Sequence, residues 1–291
     1  MRVYERDSSQ SRKTLFMRID AHHHLWQYDP TEYDWIDERM TALRRDFLPS
    51  DMAVEAAAAD VDATVAVQAR QTLAETDWLL DLAEDSTLIR GVVGWAPIAH
   101  VGFPDMVDEL AGRPLLKGLR HVVQAEPAGF LDDAAFHRGI SAMLGSGLVY
   151  DVLIFARQLE EATRFIDRHP DQIFVLDHIA KPDICHDGFA SWAKDLRELA
   201  RRPNVFCKLS GMVTEAPWDA WTPSMLHPYF ETALTCFGAA RLMAGSDWPV
   251  CKVAATYLQW WETLAGWLNP LSPDERVQIE GRVAKEVYRI R

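Results

Sequence analysis

Apolar residues in this chain fall in short continuous runs separated by longer amphipathic stretches. Eight runs read as buried strands, over residues 17–24, 62–68, 88–95, 115–123, 148–155, 172–178, 204–210 and 241–247. Between and after them, helical periodicity and capping residues predict helices over 52–60, 76–85, 104–110, 133–144, 159–168, 188–201, 223–236, 253–267 and 274–288. Near-continuous apolar strands alternating with helices imply a parallel sheet covered on its outer side. Eight such units favour a closed α/β barrel of the (β/α)8 TIM type, in a single domain over residues 17–291. An open doubly wound sheet is the competing topology, but no GxGxxG follows the first strand. The segment 26–47 breaks the rhythm with Tyr28, Tyr33, Trp35 and many charges. A β1–α1 connection of that length reads as a binding loop or lid over the active-site face.

Composition narrows the class. A hydrophobic content of 48% and a charged content of 25% are those of an ordinary globular protein. The net charge of -13, with no basic stripe, argues against a nucleic-acid partner. No apolar run reaches membrane-spanning length, so no membrane partner is expected either. Cys185, Cys207, Cys236 and Cys251 form no CxxC pair, which points to reduced thiols in a cytoplasmic protein. Residues 1–16 are polar, lack the apolar core of a signal peptide and read as a disordered lead.

The polar residues that interrupt the apolar runs cluster at the C-terminal strand ends, where a barrel of this kind carries its chemistry. These are His22 and His24, Arg120 and His121, His178, Lys208 with Ser210, and Asp247. Alternation along the first strand projects His22 and His24 together and turns His23 away. Two such imidazoles and an aspartate can hold one divalent metal, with His178 completing the set or contacting bound water. Asp247 is then placed to take a proton from attacking water. Lys208, Arg120 and His121 offer positive charge to an oxyanion or to an anionic substrate group. Together these groups describe hydrolysis at a carbonyl, although a decarboxylase would use much the same metal.

Five motifs in order carry a family resemblance: Asp20-Ala21-His22-His23-His24-Leu25-Trp26, Lys117-Gly118-Leu119-Arg120-His121, Phe174 to Pro182, Cys207-Lys208-Leu209-Ser210-Gly211, and Gly245-Ser246-Asp247-Trp248-Pro249. The chain resembles the amidohydrolase superfamily, in its sugar-lactonase branch (L-fuconolactonase and L-rhamnonolactonase), related to 2-pyrone-4,6-dicarboxylate lactonase. The resemblance implies a distorted barrel that hydrolyses a small-molecule lactone. It matches His22 and His24 to the first-strand HxH pair, His178 to the later-strand histidine and Asp247 to the water-activating aspartate. Some members of this branch bind one zinc here, whereas the pyrone lactonase works without a metal. Lys117 lies too early in its strand to be a bridging lysine, and Leu153-Ile154-Phe155 carries no histidine, so one metal is expected at most. Trp26, the aromatic loop and Trp248 would close over the lactone ring. A pyrone-dicarboxylate lactonase, a metal-dependent decarboxylase and a non-catalytic sugar-acid binder are the alternatives.

Overall fold

A computed structural model describes residues 16–186 and 188–291, and the polar lead expected over residues 1–16 lies outside them apart from Phe16. Eight parallel strands run in chain order: β1 (Ile19–His23), β2 (Ala63–Val67), β3 (Ile89–Gly94), β4 (Leu116–His121), β5 (Val149–Val152), β6 (Phe174–Leu176), β7 (Val205–Leu209) and β8 (Leu242–Ala244). Helices follow the strands: α1 (Pro49–Ala58), α2 (Leu73–Glu84), α3 (Phe103–Ala111), α4 (Ala134–Met143), α5 (Leu159–Asp167), α6 (Phe189–Leu199), α7 (Pro223–Phe237) and α8 (Tyr257–Leu268). The sheet curls into the expected (β/α)8 barrel and is joined at its seam just above β1 and β8. There Asp247 N–H donates to the His22 carbonyl (2.8 Å) and His24 N–H to the Trp248 carbonyl (2.6 Å).

The strands are shorter than their apolar runs predict. At the C-terminal rim the chain leaves the ladder to build loops, and His178 lies in a left-handed turn beyond β6 rather than at a strand end. Helix starts move to the residues that cap them. Thr72 Oγ1 accepts from Glu75 N–H at the start of α2, and Thr256 Oγ1 from Gln259 N–H at the start of α8. The last predicted helix is divided into α9 (Pro273–Val277), a π-helical turn (Gln278–Arg282) and α10 (Val283–Val287).

Two apolar layers hold the barrel. The larger lies between sheet and helices; the smaller fills the barrel interior with Ile19, Ala21, Val65, Val93, Val149, Val175 and Met243. The C-terminal segment closes the lower end of that interior with Val283, Ala284, Tyr288 and Ile290. Above this apolar plug the inward positions turn polar. Val149 gives way to Asp151, Val175 to Asp177 and Phe206 to Lys208, each two residues further along its strand. No helix among the described residues is long and apolar enough to cross a membrane.

Candidate active site

Strand β1 sets the geometry. Its register against β2 shifts between Asp20 and His23. Ile19 and Ala21 face the interior, so strict alternation would send His23 inward and His22 outward. The irregularity restores the parity that the site needs. His22 and His24 face inward with their Nε2 atoms 3.1 Å apart, while His23 turns out to Thr64 Oγ1 at 3.0 Å. Asp20 anchors the bend, accepting from His22 N–H (3.1 Å), Ser246 N–H (2.9 Å) and the Tyr257 hydroxyl (3.0 Å).

Asp247, from the loop after β8, and His178, from the turn after β6, join His22 and His24 on left-handed backbone, with φ of 58° and 52°. Asp247 Oδ1 lies 3.4 Å from His24 Nε2 and 3.8 Å from both His22 Nε2 and His178 Nε2. Burial alone would raise the Asp247 carboxyl, but the neighbouring His178 and His24 and the charge of Lys181 hold it below the usual range. Burial lowers His178 to about 4 and pushes His22 well down, with Lys208 adding to the latter. At neutral pH the site therefore sets an ionised aspartate beside the neutral imidazoles of His22 and His178.

The donor set suits a cation. His24 Nδ1 faces the Val67 carbonyl at 2.8 Å, so that nitrogen carries the proton and leaves the Nε2 lone pair on the site. His22, His24 and Asp247 offer ligand atoms that all lie within 4.8 Å of one another. His22, Asp177 and His178 form a second such group, but Asp177 Oδ1 is already ion-paired to Lys208 Nζ at 2.9 Å. Lys117 plays no part, since its Nζ donates to the Pro114 carbonyl near the start of its strand.

Beneath the histidines lies a buried ion network. Lys208 Nζ reaches Asp151 Oδ2 (2.5 Å) and Asp177 Oδ1 and lies 3.1 Å from His22 Nδ1; the Tyr288 hydroxyl also donates to Asp151. Arg120 pairs with Asp177 Oδ2 at 3.0 Å, donates to the Gln68 carbonyl and brings Nη1 to 3.4 Å from His22 Nε2. The site opens into a cavity of about 790 Å³ whose wall includes His24, Arg120, His178 and Asp247. A hollow of about 430 Å³ among Leu144, Ile173 and Phe206 holds none of the site groups.

Four expected substrate contacts lie elsewhere. Lys208 is fully buried below the cavity because two carboxylates inside the barrel draw its ammonium inward. His121 turns outward, bonded to Glu126 (2.8 Å) and stacked on Phe130. Trp26 is buried beneath the β1–α1 loop against Tyr33 and Phe47, and Trp248 is buried against Phe47. In their place the loop presents Thr31, Glu32, Asp34, Trp35, Arg39 and Met40 to the cavity. The aromatic and charged character of segment 26–47 marked this loop, but not which side chains face inward. Lys181, Glu215 and Trp218 also line the cavity, and nothing in the sequence pattern singled out Glu215 or Trp218.

Known proteins align with this architecture along its length. The chain is 40% identical to an L-fucono-1,5-lactonase of Burkholderia multivorans, covering 94% of this chain and 96% of that one. It is 36% identical to an L-fucono-1,5-lactonase of Burkholderia ambifaria, covering 95% and 97%. A crystal structure of an amidohydrolase from Burkholderia multivorans with bound zinc superposes with a TM-score of 0.91 at 40% identity, covering 94% of this chain and all of that one. The amidohydrolase family profile matches residues 19–290, and the chain belongs to that family.

Proposed function

We propose that the protein hydrolyses a neutral sugar lactone, with L-fucono-1,5-lactone as the first substrate to test. The observation that carries this reading is Asp247, an ionised carboxylate buried at the cavity floor within 3.8 Å of three imidazole nitrogens. In this reading the Asp247 carboxylate takes a proton from water as the water oxygen attacks the lactone carbonyl. Arg120, neutralised by Asp177 and lining the cavity, stabilises the developing oxyanion. Collapse breaks the ring C–O bond, and the proton held at Asp247 passes to the leaving oxygen, giving the open hydroxy acid. His178, neutral and steered by Ser210 Oγ at 2.8 Å, orients the water. Zinc is the ion we assign to His22, His24 and Asp247, where it would polarise the carbonyl.

The cavity charges favour a neutral substrate over a dicarboxylate. Each cation on its wall already has a carboxylate: Arg39 has Asp37, Arg70 has Glu32, Arg120 has Asp177 and Lys181 has Glu215. None is left to pay for the desolvation of a dianion. The four cysteines are free thiols, in keeping with a cytoplasmic enzyme.

A pH-indicator screen of aldonolactones and pyrone dicarboxylate, with and without chelator, tests substrate class and metal need together. Aldonolactone turnover is expected, with a loss of at least 10³-fold in kcat for Asp247→Asn at an unchanged unfolding midpoint, on the scale of a lost general base and charge together. Full activity in that variant, or carbon dioxide release from an aromatic acid with no action on lactones, would sink the assignment.

A further inference from the structure

One polar cluster on the cavity wall has no part in the reaction just described. Gln124 comes from the turn after β4, Lys181 from the left-handed turn after β6 and Glu215 from the turn after β7. Lys181 Nζ donates to Gln124 Oε1 at 3.2 Å and pairs with Glu215 Oε1 at 3.3 Å. The two charged side chains are 17% and 18% exposed, and that exposure opens into the cavity. Phe155 lies under the ammonium at 5.3 Å, and Trp218, also on the wall, is fixed by its Nε1–H to the Thr214 carbonyl at 2.9 Å.

The hydrogen-bonding capacity of this cluster is only partly used among the described residues. The ammonium has three hydrogens and two partners here, the Gln124 amide hydrogens meet no acceptor, and Glu215 Oε2 meets no donor. The charges cancel, so the cluster does not select an anion. It offers donors and an acceptor side by side, and each sugar hydroxyl is both donor and acceptor. Nζ and Oε1 lie 3.3 Å apart, close enough for hydroxyls on neighbouring ring carbons to reach one each. We propose that Gln124, Lys181 and Glu215 form a subsite that reads adjacent hydroxyls of the lactone ring, with Phe155 and Trp218 against its apolar faces. This inference rests on the lactonase reading and adds what selects the substrate. A site built to hydrogen-bond a hydroxyl discriminates strongly against the analogue that lacks it.

The test compares kcat/KM for L-fucono-1,5-lactone with that for δ-valerolactone, which has the same ring and no hydroxyls. The ratio is measured in the wild type, Glu215→Gln and Lys181→Met. The wild-type ratio is expected to be at least about 100, and to fall by about tenfold or more in each variant. An unchanged ratio in both variants would overturn the subsite while leaving the lactonase reading intact. So would a wild type that turns over both lactones equally, a result that needs no variant to fold. Wild-type protein that hydrolyses neither lactone would overturn the lactonase reading and the subsite with it.

Discussion

Glu75 is fully buried at the start of α2, where its Oε2 accepts from the backbone N–H groups of Ala69 (3.1 Å) and Arg70 (2.6 Å). Its other oxygen has no hydrogen bond, and Arg70 Nε stands 3.7 Å away. Burial raises this carboxyl from 4.5 to about 7, against the lowering effect of those amides and Arg70. The folded protein therefore holds the proton more tightly than the unfolded chain. Its stabilising share is complete below pH 4.5 and is lost as pH rises through 7. Glu75→Gln keeps an acceptor for both amides and removes the charge. It is expected to add up to about 3 kcal/mol of stability at pH 8 and little at pH 5. Equal shifts in melting temperature at the two pH values would contradict this account. Lys208 makes the opposite case, a buried charge that is well paired. Lys208→Met leaves Asp151 and Asp177 facing each other inside the barrel. The expected cost is about 3–5 kcal/mol, read from denaturant unfolding. A variant that lost activity at wild-type stability would instead return Lys208 to the role of a substrate contact.

Single elements aim the candidate site side chains by departing from regular geometry. His178, Ile179, Ala180 and Lys181 are four consecutive non-glycine residues with positive φ, each in a region that costs an L-residue about 1–2 kcal/mol. The turn they form swings His178 toward Asp247 and leaves Lys181 on the cavity wall. Gly211 makes room for it: a Cβ there would fall 2.6 Å from His178 Nδ1, and its own φ is +65°. Gly211→Ala should therefore displace the imidazole, with at least a 100-fold loss of kcat and a loss of stability of about 1–3 kcal/mol. Wild-type kinetics would show that the ring position is not critical. The eight apolar runs made the barrel legible, because burial on both faces leaves a continuous signal. His22, His24, Arg120, His178 and Asp247 were legible because charge at a strand end is costly unless it is used. The fates of Lys208, His121, Trp26 and Trp248 were not. Whether a residue near the rim faces the cavity, the interior or the helices depends on bulges and turns such as the shift in β1, which leave no period in the sequence.

At the scale of the molecule, the site lies across the seam that closes the barrel. His22 and His24 come from the first strand, and Asp247 from the loop after the last. The two ends are joined there by Asp247 N–H to His22, His24 N–H to Trp248 and Ser246 N–H to Asp20. A cation bound by both sides adds a further link between segments more than two hundred residues apart in sequence. The unfolded chain lacks that arrangement, so binding stabilises the folded state by mass action. Zinc at about 100 times its dissociation constant should contribute about 2.7 kcal/mol, a rise of about 4–5 °C in melting temperature for a barrel of this size. The effect should vanish with chelator and shrink in His24→Asn, whose side chain lacks the lone pair that His24 Nε2 turns into the site. His23→Asn serves as the control, because that imidazole faces Thr64 outside the barrel interior. An equal rise in wild type and both variants would place the zinc somewhere other than the seam. No rise in the wild type would leave the hydrolytic site to Asp247, Arg120 and the imidazoles alone.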